Sequence, residues 1–444
     1  MGHRPGQRVA SLVVLGLGVV TFAACTASTA SIGTPSVRVL PAGGAGAAVP
    51  VPSLVPAPGL VLAPAPDATG VPVTDPVTVS AISAVVDTVA LTDARGRPVP
   101  GKFDAAGRTW HSTAALDYGR RYTLAAAGTG ANRIRLVRTA SFTTVQPTRY
   151  TEATLRASKL LLLADRDTYG VGQPIVVTFD DGVTDRAAAE RSLLVTTAPH
   201  VDGAWHWFGD REVHWRPQRY WQPGTVVTVK ANLYGTDLGD GTYVRDNASA
   251  TFRVGPSKIA IADDTTYRMK AFVSGTEIRD IPVAMGRHES IGDIDLHTRS
   301  GPHVVLGNDR YTRMTSASYG LTGAGSYDTT VEWTTHISYE GEYVHAAPWS
   351  VGQQGNADAS HGCINVDTEN AIWFYNTFGP GDIVDVRNTG VPLSPTDGLV
   401  DWTLSWPDWL SGSALEGGAL EGGALEGGAL AGGSALKGAL PHAN

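Results

Sequence analysis

Between residues 76 and 255 the apolar residues come in short β-type runs closed by turn residues, and this punctuation constrains the fold most. Val77-Thr78-Val79-Ser80 and Tyr122-Thr123-Leu124 are such runs, with Asp93-Ala94-Arg95-Gly96 and Gly128-Thr129-Gly130 as turns. The pattern repeats after residue 148. Pro174–Phe179 and Thr225–Val229 alternate or run apolar between Gly, Asp and Pro. Short strands with turns at roughly 8–12-residue spacing predict β-sandwiches, one over 76–147 and a second over 148–255. Neither is stapled by a disulfide, because the chain has two cysteines, Cys25 and Cys363.

Two features of the second module have a functional and a bland reading. Trp205, Trp207, Trp215 and Trp221 would form either a sugar-binding face or core and interdomain packing. Asp237, Asp240 and Gly241 put oxygen ligands at tight spacing in one turn, a possible structural calcium site that lacks the full loop of an EF-hand.

The ends differ from the middle. His3, Arg4 and Arg8 precede the uncharged run Val9–Ala24, whose 16 residues fall short of the roughly 20 that span a bilayer. Residues 1–24 read as an export signal. Phe22-Ala23-Ala24-Cys25 resembles a bacterial lipobox, with Phe22 in place of the usual Leu, so Cys25 is the expected lipidation site; an ordinary signal peptide or an uncleaved anchor are the alternatives. The protein is thus expected at the outer face of the cytoplasmic membrane, reaching into the cell wall. Residues 25–75 read as a Pro/Ala-rich tether, with Pro at 50, 52, 56, 58, 64 and 66. In polyproline II at ~3.1 Å per residue it would span on the order of 150 Å. Residues 389–411 form a Trp-rich extension. The Gly pairs of 412–444 defeat helix formation and read as a disordered tail.

Composition narrows the function. The 444 residues amount to about three domains at ~150 residues each. A net charge of −8, with 17% charged residues against an average of roughly 25%, argues against nucleic acid as a partner.

The chemistry concentrates in residues 256–388. His345, His361 and Cys363 fall within 19 residues. Glu342-Tyr343-Val344-His345 reads as a strand ending in a His. Ile364–Asp367 follows the Cys, and Thr368–Tyr375 has helical apolar spacing with Asp367 as N-cap. Gly379-Pro380 stops that helix, and Ile383–Val386 returns as a strand. Cys363 therefore sits on a Gly362-bearing turn whose backbone N–H groups could meet an oxyanion. A thiol of pKa about 8.5 is mostly protonated near neutrality, and a neighbouring imidazole can take its proton. His345 is the candidate base. His361 shares a face with Cys363 if the chain is extended there. Three alternatives stand beside this reading: a zinc site of His345, His361 and Cys363, an inert buried thiol, or His361 as base with His345 in the core.

Ser360-His361-Gly362-Cys363-Ile364-Asn365, with fourteen residues between His345 and Ser360, resembles the signature of the L,D-transpeptidase (YkuD) catalytic domain. The likeness extends to Met314–Gly320, Trp333, His345–Gly352 and Ala371–Tyr375, and in the middle module to Asp210–Pro217. Together these are similar to actinobacterial enzymes with two immunoglobulin-like domains before the catalytic one. The implied fold is mainly β: two immunoglobulin-like sandwiches, then a β-rich YkuD-type domain with a short helix after the nucleophile.

By this resemblance Cys363 is the acylated nucleophile and His345 its base, oriented by the backbone carbonyl of Ala346, with His361 and Gly362 in support. Tyr327, Glu340, Gly341 and Asn365 fall where the family contacts substrate, and Met314, Tyr319 and Trp349 where the pocket is lined. The implied activity cross-links third-position diamino acids of peptidoglycan tetrapeptide stems with release of D-Ala. It requires no cofactor, and β-lactams would act as covalent inhibitors. An L,D-carboxypeptidase using the same acyl-enzyme and a non-catalytic wall-binding protein are the competing readings.

Overall fold

The structure, a computed structural model, describes residues 56–323 and 325–415. The export signal, Cys25, most of the tether and residues 416–444 of the tail lie outside the described residues. None of the described helices is long and apolar enough to cross a membrane.

The first sandwich packs a four-stranded sheet (Gly59–Ala63, Thr78–Ile82, Thr109–Ser112, Gly101–Phe103 in spatial order) on a three-stranded one (Ala84–Asp93, Arg121–Gly130, Arg135–Thr143). Arg121–Gly130 shows why it forms. Tyr122, Leu124 and Ala126 alternate inward, where they meet Val79, Leu91, Trp110 and Phe142. The expected tether therefore ends earlier than residue 75. Gly59–Ala63 pairs antiparallel with Thr78–Ile82, and Leu60, Val71 and Val73 are buried in this core. The prolines do not prevent it, because Pro58 and Pro64 flank a strand at the sheet edge, where no ladder N–H is lost.

The second sandwich sets a five-stranded sheet against a four-stranded one. Its strand Ile175–Phe179 is buried on both faces. Ile175, Val177 and Phe179 enter the sandwich core, and Val176 points the other way, against Val304, Leu306 and Ile383 of the next domain. Trp205, Trp207, Trp215 and Trp221 are all buried in the same core, which is the bland reading of the cluster. At the expected calcium turn, Asp237 Oδ1 accepts the Gly239 N–H and Oδ2 the Tyr243 hydroxyl, while the Gly241 carbonyl accepts from Thr148 and Arg149. Asp240 takes the Thr184 hydroxyl. The turn thus closes on its own hydrogen bonds. Among the described residues it brings no third acidic or His ligand to Asp237 and Asp240.

The third domain holds a five-stranded sheet (Thr276–Pro282, Arg268–Val273, Lys258–Asp263, Ile383–Arg387, Gly301–Val304) and a four-stranded one (Gly307–Thr315, Asp328–His336, Tyr343–Ala346, Ile364–Val366). Helix Thr368–Thr377 starts where Asp367 accepts the Asn370 N–H at 2.8 Å, and it stops before Gly379-Pro380. Its Ala371 and Phe374 fill the core between the sheets.

The C-terminal segment turns back onto the second sandwich. Trp402 Nε1 donates to the Gly172 carbonyl, and Trp409, on helix Trp406–Ser411, donates to that of Ala204. Arg216 lies buried over the rings of Trp402 and Trp409, at 4.7 and 4.4 Å. Burial alone would hold the His214 imidazole neutral. Asp401 and Glu212, each at 2.9 Å, outweigh it and raise its pKa to about 9. The strap thus delivers the carboxylate of Asp401 to a buried cation. The expected boundary of the tail also moves, since the Ser413 hydroxyl and the Ala414 N–H both donate to buried Glu190.

Candidate active site

Strands Tyr343–Ala346 and Ile364–Val366 run parallel, with His345 opposite Asn365. This register puts Cys363 at the mouth of one strand beside the His of the other. Both line one cavity of about 220 Å³, with Met314, Tyr327, Trp349 and Asn365. A second cavity, of about 270 Å³, opens on the same thiol and is lined by Tyr319, Glu340, Gly341, Glu342 and Gly362. Tyr327, His361 and Cys363 face both. The two cavities together are lined by the residues expected at the site except Ala346, whose carbonyl meets His345 instead.

His345 is buried, and its Nδ1 lies 2.9 Å from the Ala346 carbonyl. A carbonyl only accepts, so Nδ1 carries the proton and Nε2 is left as the basic nitrogen. Burial lowers the imidazole to a pKa of about 4, against an ordinary 6.5. The thiol is affected in the same way. Burial pushes Cys363 up to about 12, only partly offset by the backbone N–H of Tyr343. Its Sγ is 3.6 Å from the Gly341 carbonyl. The sequence suggests a thiol whose proton the neighbouring imidazole takes. In the fold burial shifts both groups toward their uncharged forms, since neither charge is solvated there.

The turn itself also differs from expectation. Residues 361–363 are bent rather than extended, with Gly362 at φ +130°, so His361 and Cys363 do not share a strand face. His361 instead packs against the Tyr327 ring at 5.0 Å, with the planes tilted by 56°, and takes a hydrogen bond from Arg287 at 3.1 Å. Burial and that guanidinium hold its pKa below the ordinary value. The N–H of Gly362 donates to Ser360 Oγ, so this amide of the turn is already engaged. Among the described residues His345, His361 and Cys363 do not converge as metal ligands, which removes the zinc alternative.

Three residues that shape the turn were given no role of their own in the sequence. Ser360 Oγ donates to the Cys363 carbonyl at 2.6 Å, and Thr298 Oγ1 donates to that of Gly362 at 2.8 Å. Glu342 lies against Gly362; burial pushes its carboxyl well up, and Oε2 has no hydrogen-bond partner. Ser360 belonged to a visible motif. Thr298 and Glu342 carried no sequence signal, because a lone Thr or Glu before a strand reads as surface.

Residues 257–386 match the L,D-transpeptidase catalytic domain family (YkuD), and residues 68–237 match the bacterial Ig domain family. L,D-transpeptidase 2 of Mycobacterium tuberculosis is 39% identical over 360 residues, covering 80% of this chain and 85% of that protein. The chain belongs to the L,D-transpeptidase family. L,D-transpeptidase 5 of the same organism is 35% identical over 81% of this chain and 78% of its own. A solved LD transpeptidase in complex with imipenem is 30% identical over 53% of this chain and 99% of its own, with a TM-score of 0.45. The L,D-transpeptidase match, unlike the Ig match, holds both strands that carry His345 and Cys363.

Proposed function

We propose that this L,D-transpeptidase forms cross-links between the third-position diamino acids of peptidoglycan stems through a thioester on Cys363. The observation that supports it is one cavity holding a buried thiol and an imidazole whose free nitrogen is Nε2. Cys363 Sγ attacks the carbonyl of the third residue of a tetrapeptide stem as His345 Nε2 takes the thiol proton. The C–S bond forms, the bond to the terminal D-Ala breaks, and His345 returns the proton to the leaving amine. The side-chain amine of a second stem then attacks the thioester, forming the new amide and restoring the thiol. The second cavity offers that amine a separate approach to the same sulfur. In this reading Tyr327, Glu340, Gly341 and Asn365 contact the stems.

The test is product mass spectrometry of the full chain with purified tetrapeptide stems. Cross-linked dimers with equimolar D-Ala are expected. Tripeptide alone would mean that water resolves the thioester, which is the carboxypeptidase reading.

The buried pair sets the pH dependence. The base must be neutral, and its pKa is held near 4, so kcat/KM is expected to stay level from about pH 9 down to pH 5. Below about pH 4 it should fall roughly tenfold per unit as His345 is protonated. An acid limb at pH 6.5 in a pH–rate profile would show that the imidazole is solvated instead.

A further inference from the structure

We propose that Asp264, His288 and Asp358 form a binding site for a divalent transition-metal ion of the zinc class, which ties the approach to the catalytic turn to the domain's main sheet. Three separate stretches supply the ligands. Asp264 directly follows strand Lys258–Asp263, and its N–H donates to the Arg387 carbonyl at 3.1 Å. His288 lies just beyond Gly286, which bridges to Ser360. Asp358 precedes Ser360 by two residues and is fixed through Oδ1, which accepts the Met285 N–H at 2.9 Å. Its other oxygen, Oδ2, is 3.5 Å from His288 Nε2, and Asp264 Oδ2 is 2.7 Å from the same nitrogen. One ligand atom from each residue lies within 4.8 Å of the others.

A second observation marks this cluster as more than an ion pair. Asp264 is only 4% exposed, and its Oδ1 has no hydrogen-bond partner. A buried carboxylate oxygen is normally paired, and a bound cation would pair this one. A divalent cation would satisfy both carboxylates at once. The His288 ring is held by stacking on His297, at 4.7 Å and 16°, so its Nε2 is presented in a fixed direction.

The donor set selects the ion. One imidazole nitrogen and two carboxylates at bond lengths of about 2.0–2.2 Å suit zinc, with water in the fourth position. Calcium and magnesium prefer oxygen-only shells and are disfavoured by the imidazole. Bound there, the ion would replace the proton between His288 and Asp264 and clamp Asp358. Ala359 and Ser360 already donate their N–H groups to the Met285 carbonyl, so the clamp extends to the chain entering the turn. Its role would be to hold the turn, with no part in the reaction.

The experiment uses full-length Cys363→Ser protein, so that the active-site sulfur cannot itself hold zinc. Zinc binding is measured by titration calorimetry and by metal analysis after dialysis, alongside thermal melting, in this background and with Asp264→Asn or His288→Gln added. One zinc per chain is expected in the parent. Each added substitution should weaken binding by at least about tenfold and abolish the rise in melting temperature with zinc. Calcium at the same concentration should not compete. His288 is half-exposed, so His288→Gln tests the site even if Asp264→Asn fails to fold. No zinc bound at 100-fold molar excess, unchanged binding in a folded variant, or displacement by calcium would each overturn the proposal.

Discussion

Replacing Cys363 by alanine is expected to abolish both cross-linking and covalent labelling by a carbapenem, with turnover down at least about 10³-fold. The size of the effect follows from the chemistry, because without sulfur no thioester can form. The fold should survive. Cys363 is one small side chain packed with Met314 and Val331, and its turn is held by Ser360 and Thr298 rather than by the thiol. Intact-mass spectrometry of both proteins after carbapenem treatment, with circular dichroism as the folding control, makes the comparison. Retained turnover in the alanine protein would remove Cys363 from the mechanism. A carbapenem that fails to label the unsubstituted protein would favour the non-catalytic, wall-binding reading.

The largest stability effect is expected far from the thiol. Trp409→Ala should destabilise the unit made by the second sandwich and the C-terminal strap by about 3–5 kcal/mol. Trp409 is fully buried, stacks on His206 at 4.8 Å and lies under the Arg216 guanidinium. Its removal leaves a cavity and takes a donor from the Ala204 carbonyl. It also exposes one side of Arg216 and loosens the segment that brings Asp401 to His214. Because the chain has several domains, denaturant unfolding should be followed by Trp fluorescence and resolved into its separate transitions. A loss below about 1 kcal/mol would mean that the strap rests on the sandwich without holding it.

How much of this was legible beforehand varied with the range of the interactions. Helix Thr368–Thr377 was, because Asp367 and Gly379-Pro380 are local signals of start and stop. The strand through His345 and the one after Cys363 were read from their own side chains. The start of the first sandwich was misplaced. The prolines around Gly59–Ala63 suggest an extended linker, and only the partner strand Thr78–Ile82 makes that segment part of a sheet. The buried tryptophans gave no sign of which face they would take, since an aromatic that packs a core and one that binds sugar are the same residue.

The amino-acid order alone determined the strand-and-turn grammar and the helix limits, because each depends on side chains within a few positions of one another, and its motif put His345 and Cys363 forward as the reactive pair. Only the tertiary structure decided that burial disfavours the charged forms of His345 and Cys363, that Thr298 and Ser360 hold the turn, and that Asp264, His288 and Asp358 converge. Those outcomes depend on burial and on contacts between distant segments. Desolvation shifts a proton equilibrium only once the surrounding walls have been assembled.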